Sequence, residues 1–341
     1  MIKTNSRRAI VTGAAGFIGY HLCSKLLFEG WNVLGIDSIS NYYDIELKNK
    51  RVTTLKRNSR FLFNKLNIEN KERLLKIFAE FKPEIVIHLA AQAGVRYSIA
   101  NPQSYLSSNV IGTFNMLEAT KEIDCKHLLV ASTSSVYGSN SKSPYKETDK
   151  ADTQLSFYAA TKKSNEVMSH SYSHLFNIPT TCFRFFTVYG PWGRPDMALF
   201  KFTKCAYAGE PIEIYNYGKM QRDFTYIDDL ISGIMNLIPI NPKDNKKSIK
   251  GDSLSPIAPW RVVNIGSAQP VSLKNFIEIL ERKLGFKIQK RYVEMQAGDV
   301  PHTYADISLI KSLTGFLPKV SIDQGLEEFL IWYKKYYKIN G

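Results

Sequence analysis

No apolar stretch in the chain approaches the roughly 18–20 residues that a membrane-spanning helix requires, because glycines and polar side chains interrupt every candidate. Cysteine is scarce and dispersed: Cys23, Cys125, Cys182 and Cys205 form no CxxC pair and have no histidine at ligand spacing. That pattern argues against a disulfide framework and against structural zinc, so the thiols are expected to be reduced and to pack as small apolar groups. No metal site is expected. Acidic residues are few, 31 Asp and Glu against 45 Lys and Arg, and the net charge is +14. Such an excess suits nucleic acid, an anionic membrane surface or anionic small substrates. The cations are scattered, however, and the densest cluster (Lys243, Lys246, Lys247 and Lys250) lies in a Pro/Ser/Asn-rich stretch. Neither nucleic acid nor a membrane is therefore expected as a partner. The start, MIKTNSRRAIVTG, is basic, but the segment after it is Gly-punctuated and too short for a signal core. A short tail and a cytoplasmic location are expected.

What is present is an ordinary globular composition, 44% hydrophobic and 22% charged over 341 residues, enough for a large domain with a smaller lobe. Short β-branched runs at 9–12, 31–37, 61–66, 84–90, 127–132 and 180–185 read as buried strands. Helical spacing occupies 18–29, 71–81, 111–122 and 158–176. This alternation predicts an α/β fold with a parallel, doubly wound sheet. After Phe186 the pattern breaks into Gly/Pro-rich pieces, then resumes with a strand at 261–265 and helices at 272–284 and 321–337. The expected division is a nucleotide-binding domain over 1–187, with returns near 224–240 and 261–266, and a smaller lobe over 188–341 interleaved with them.

Three clusters carry chemistry. Gly13, Gly16 and Gly19 follow the first strand and open the first helix, where glycine permits a tight turn and close approach of a pyrophosphate. The spacing is GxxGxxG rather than the commoner GxGxxG. Asp37 ends the second strand 18 residues after Gly19, where a carboxylate accepts both hydroxyls of an adenosine ribose and repels a 2′-phosphate. NAD is expected over NADP. Tyr158 and Lys162 stand at i and i+4 on one helical face, and a nearby ammonium is expected to help the tyrosine act as a general acid and base. Four hydroxyl residues in STSSVYG, 132–138, end the fifth predicted strand.

With His88-Leu89-Ala90-Ala91 and Arg222-Asp223-Phe224-Thr225-Tyr226-Ile227-Asp228-Asp229, these motifs resemble the extended short-chain dehydrogenase/reductases acting on nucleotide sugars, over essentially the whole chain. Two further stretches, 185–198 and 295–301, are similar to the UDP-glucuronate 4-epimerases. The resemblance implies a Rossmann sheet and a smaller C-terminal α/β lobe for a UDP-sugar. It implies reversible C4 epimerisation of a UDP-hexuronic acid, most simply UDP-glucuronate to UDP-galacturonate, through a 4-keto sugar. It makes Thr133 the hydroxyl partner of Tyr158, and assigns Lys162 to the nicotinamide ribose. Phe17 and Ile18 would offer amides to the pyrophosphate, Asn67 and Ile68 would flank the adenine, and Ala90, Gln92 and Asn109 would lie near the cofactor or sugar. Related enzymes that eliminate water carry Asp-Glu where this chain has Ser134-Ser135, so dehydration is disfavoured. Serines can instead donate to a carboxylate. Alternatively, they satisfy backbone groups at the strand end. Thr187 would add a donor, Arg194 would pair with the acid or the phosphates, Arg222 would bind the UDP phosphates and Asp299 the uridine ribose. Gln296 stands where related galactose epimerases have Arg. A homodimer through two helices is implied as well. Two other readings stay open at this point: epimerisation of UDP-glucose or UDP-N-acetylglucosamine, and a non-catalytic NAD-sensing or RNA-binding protein on the same fold.

Overall fold

The computed structural model describes residues 7–243 and 249–339; the first six residues of the basic start, and Lys246 and Lys247 of the cationic cluster, lie outside the described residues. The strands are β1 Arg8–Thr12, β2 Asn32–Asp37, β3 Phe61–Lys65, β4 Ile85–His88, β5 His127–Thr133, β6 Thr180–Phe185, β7 Thr187–Tyr189, β8 Ile212–Ile214, β9 Gln221–Tyr226, β10 Trp260–Ile265, β11 Pro270–Ser272 and β12 Lys290–Tyr292. The first six and β10 form one sheet in the order β10-β6-β5-β4-β1-β2-β3, with every neighbouring pair parallel. This is the doubly wound arrangement that the alternation of strands and helices predicts. Its strand order reverses at β1 and β4, which opens a crevice at their carboxyl ends.

Alternate residues of a strand feed opposite faces, and both faces are covered. Val11, Val33, Ile87 and Leu129 enter one apolar cluster, while Ile10, Leu34, Val86 and Leu128 enter the other. The expected helices are present as Phe17–Phe28, Lys71–Phe81, Gly112–Lys121 and Phe157–Phe176. The third is prolonged upstream by short helical pieces from Tyr97 and a π-helical turn over Leu106–Ile111. Helix Ile45–Leu55 is absent from the sequence expectation, as are Ala198–Ala208, Ile227–Leu237 and Ser308–Thr314. Asp44 caps the first of these, accepting from the amides of Glu46 and Leu47, yet its inward face carries Lys48 and Arg51 beside Leu47, Val52 and Leu55. With its apolar stripe interrupted by two cations, hydrophobic periodicity does not reveal Ile45–Leu55.

β10 is the strand expected at 261–265, and it returns the chain to the large sheet after an excursion into small ones. β9 lies between β7 and β11, and β12 pairs with β8. Helices Ala198–Ala208, Leu273–Leu284 and Ile322–Tyr337 pack their apolar faces into the same cluster as Phe224 and Tyr226.

Candidate active site

The carboxyl ends of the central strands surround a cleft of about 1280 Å³. Its floor is the glycine loop. Gly13 has φ +72°, and a Cβ there would lie 2.9 Å from the Ala90 nitrogen; a Cβ on Gly19 would lie 2.0 Å from the Gly13 carbonyl oxygen. The turn closes through Gly16 N–H donating to the Gly13 carbonyl at 2.9 Å. Helix Phe17–Phe28 therefore starts pointing at the cleft, with no side-chain cap on its first amides. Free N–H groups at a helix N-terminus suit a phosphate. Asp37, at the tip of β2, accepts from the amides of Ala15 (3.0 Å) and Ile39 (2.8 Å). Burial pushes its carboxyl up, while those amides and the charges of Lys48 and Arg51 pull it back.

Ser156 caps helix Phe157–Phe176 through the Ala159 amide, and this start places Tyr158 and Lys162 one turn apart on the cleft wall. Burial raises the Tyr158 phenol; the Thr133 hydroxyl and the Arg194 charge oppose that rise. Lys162 itself is 2% exposed and burial pushes it down to about 8.

The four hydroxyls of STSSVYG divide their work. Ser132 turns away from the cleft centre and donates to Glu166 at 2.6 Å. Glu166 also receives a two-pronged contact from Arg184, 2.8 Å at both oxygens, which anchors helix Phe157–Phe176 to β6. Burial raises the Glu166 carboxyl, but Arg184 brings it below the usual range. Thr133 accepts from the Ser135 amide at 3.2 Å and starts a 3-10 turn, so part of the expected backbone-satisfying role belongs to Thr133. Ser134 and Ser135 line the cleft.

The other sequence-derived positions converge too. Phe17, Ile18, Asn67, Ile68, Ala90, Gln92, Thr187, Arg194, Arg222 and Asp299 all line the same cleft. Asn109 does not. It is 0% exposed, and its amide bridges the Gln92 main chain and the Thr161 hydroxyl, so it braces the wall behind Gln92. Arg194 is engaged as well, forking onto Asp196 at 3.0 and 2.6 Å. Arg222 donates to the carbonyls of Gln221 and Pro301, both at 3.0 Å. Asp299 faces Arg96 at 3.4 Å, and the Arg96 guanidinium lies over the Tyr215 ring at 4.3 Å.

Sequence reasoning missed Tyr42, Lys48, Asp196 and Tyr215, which also line the cleft. Asp196 stands within the family-like stretch 185–198. Tyr42 and Lys48 had one usable signal, the Asp44 cap that announces a helix just past Asp37. His88, between Thr12 (2.8 Å) and Thr113 (3.0 Å), is pushed down to about 3 by burial and the Lys162 charge; a neutral imidazole there fixes the strand ends.

A parallel sheet with a glycine-lined crevice, an acidic β2 tip and a buried Tyr/Lys helix defines a dinucleotide-dependent enzyme of the short-chain dehydrogenase/reductase class. The chain belongs to the NAD dependent epimerase/dehydratase family, whose profile matches residues 9–248. A probable UDP-glucuronate 4-epimerase from Rhizobium meliloti is 49% identical over 334 residues, 97% of this chain and 98% of that protein. UDP-glucuronate 4-epimerase 4 of Arabidopsis thaliana is 44% identical, over 98% of this chain and 78% of its own length. A crystal structure of the UDP-glucuronic acid 4-epimerase from Bacillus cereus, in complex with UDP-glucuronic acid and NAD, is 37% identical with a TM-score of 0.87. It covers 97% of this chain and 100% of that one.

The residues present fit the dinucleotide. Side chains on Gly13 or Gly19 would strike main chain, the first helix offers uncapped amides, and Lys162 makes no hydrogen bond to protein among the described residues. A buried ammonium in that position suits ribose hydroxyls.

Proposed function

We propose that this chain is an NAD-dependent isomerase that interconverts UDP-glucuronate and UDP-galacturonate at C4. The observation that carries the reading is Thr133, Tyr158 and Lys162 on one cleft wall with Ser134, Ser135 and Thr187 beside them, in a chain 49% identical to a probable UDP-glucuronate 4-epimerase. NAD, when bound, supplies reversible oxidation of the sugar C4 to a ketone, which can then be reduced on its other face.

The protein's own groups do the rest. Tyr158 takes the proton from the 4-hydroxyl and returns it, with Thr133 holding the same oxygen. The glycine loop, Phe17 and Ile18 hold the pyrophosphate, Asp37 the adenosine ribose, Asn67 and Ile68 the adenine, and Lys162 the nicotinamide ribose. Ala90 and Gln92 close that wall, with Asn109 positioning Gln92. Arg222 and Asp299 hold the nucleotide of the substrate. A uronic acid oxidised at C4 is a β-keto acid prone to lose CO₂. Ser134, Ser135, Thr187 and Arg194 therefore serve two ends: they select the carboxylate and keep it from leaving.

The proposal includes a division into lobes at about residue 187. Its support is that β10 lies in the large sheet, while β7, β8, β9, β11 and β12 build two small ones. It also includes a cytoplasmic homodimer. The support for pairing is exposed Leu106, Ile111 and Phe114 on one helical stretch and Val167 on the catalytic helix.

The test is incubation with UDP-glucuronate, UDP-glucose and UDP-N-acetylglucosamine, resolving C4 epimers by NMR, with NAD or NADP supplied in turn. UDP-glucuronate and NAD should be strongly preferred. Outright preference for a neutral sugar sinks the carboxylate reading, and equal activation by NADP sinks the role of Asp37.

A second measurement addresses the carboxylate donors singly. A hydrogen bond to a charged group in a closed site contributes on the order of 1.5–3 kcal/mol. Thr187→Ala should therefore lower kcat/KM for UDP-glucuronate about ten- to a hundred-fold, with little change for UDP-glucose. Equal losses on both sugars would show that Thr187 does not read the acid. Arg194→Ala should follow the same pattern, and an equal loss on both sugars would assign Arg194 to the phosphates or to its fork with Asp196 instead.

A further inference from the structure

One fully buried guanidinium has no part in the chemistry of epimerisation. Arg51 is 0% exposed and, among the described residues, forms no ion pair with a carboxylate. Neutral groups meet its charge. Nη1 donates to the Ala15 carbonyl at 2.8 Å and to the Tyr43 hydroxyl at 2.9 Å. Nη2 donates to the carbonyls of Trp192 at 2.6 Å and Gly193 at 3.2 Å. Its Nε is buried without a partner, and Asp37, the carboxylate whose acidity its charge affects, makes no hydrogen bond to it among the described residues. A buried cation hydrogen-bonded only to neutral groups costs more than an apolar side chain of similar size. Its presence therefore points to a geometric demand.

What Arg51 joins shows the demand. Ala15 is part of the glycine loop, and its own amide donates to Asp37. Trp192 and Gly193 lead directly into Arg194 and Asp196 on the far side of the cleft. That segment does not relax on its own, because Trp192 has φ 60°, in the left-handed region that a bulky side chain avoids. It is pinned from outside. His21 Nε2 contacts the Pro191 carbonyl at 2.9 Å, and the Trp192 ring lies 5.3 Å from that of Tyr20. Both pins spring from the helix that the glycine loop opens.

We propose that Arg51 is a positioning residue that couples the two ligand sites. One guanidinium spans both loops, so an event that orders the glycine loop also orders the segment bearing Arg194 and Asp196. Dinucleotide and nucleotide sugar then tighten each other's binding. The inference rests on the NAD and UDP-sugar reading of the cleft. Because linkage is reciprocal, UDP must tighten NAD by the same factor as NAD tightens UDP.

Calorimetric titration tests this: NAD with and without saturating UDP, and UDP with and without saturating NAD, on wild type, Arg51→Lys and Arg51→Met stripped of cofactor. Wild type should show mutual tightening on the order of ten-fold. Arg51→Lys keeps the charge but cannot fork to both loops, so its coupling factor should fall toward one while each ligand still binds alone. Arg51→Met should do the same. A purely structural role would weaken both ligands and lower Tm while leaving the coupling factor intact, and that pattern overturns the proposal. So does a wild type that binds both ligands without mutual tightening, an arm that stays decisive should either variant fail to fold. A wild type that binds neither NAD nor UDP overturns the functional reading itself.

Discussion

Tyr158→Phe should give a folded protein that retains NAD and UDP but turns over UDP-glucuronate roughly a hundred- to ten-thousand-fold more slowly, the usual contribution of a positioned acid–base group. The ring has a packing role that phenylalanine preserves, lying edge-on to Tyr105 at 6.0 Å. Only the hydroxyl is lost. Burial keeps that hydroxyl protonated in the protein alone, and the groups that favour its ionised form are Thr133 and Arg194. The check is kcat by NMR alongside cofactor content after purification. Near-native turnover with full NAD retention would remove Tyr158 from the mechanism.

Gly19→Ala should abolish cofactor retention and destabilise the fold together. The new methyl would lie 2.0 Å from the Gly13 oxygen, 2.7 Å from its carbon and 3.0 Å from the Ala14 Cα. Overpacking typically costs about 1–3 kcal/mol when neighbours can shift. Here all three neighbours are main chain of the loop that closes on Gly13, so the cost belongs at the top of that range. Gly16→Ala meets the same oxygen at 3.0 Å and should be milder. Absorbance of bound cofactor and a melting curve for each variant decide the matter. Stoichiometric NAD in Gly19→Ala would mean that the loop yields freely and is not a rigid cradle for the pyrophosphate.

The parts of this molecule that sequence reasoning reached are those with a repeating physical signature. Buried parallel strands announce themselves as β-branched runs, and all six expected in the first half are present, the fourth trimmed to Ile85–His88 where the chain leaves the sheet for the cleft. β7, β8, β11 and β12 are three residues each, too short for a period of two to show. Helix Ile45–Leu55 escaped because its buried face is partly cationic, and no pattern of hydrophobicity foretells a buried arginine. The placement of individual residues divided in the same way. Tyr158, Lys162 and the glycines are legible because spacing alone sets their placement. The bracing of Gln92 and Thr161 by Asn109 is not, since nothing along the chain marks those partners.

The return of β10 to the large sheet bears on how the molecule is made. β6 pairs with β5 on one side and with β10 on the other, and β10 begins about 75 residues after β6 ends. At ribosomal speeds of about 5–20 residues per second, β6 spends roughly 4 to 15 s as a bare edge, its amides and carbonyls open to any neighbouring chain. The sheet is thus finished late, by a strand arriving from beyond the small-sheet excursion. A nascent chain halted near residue 250 would carry nearly every residue of the cleft and still expose the edge most prone to pair with a stranger.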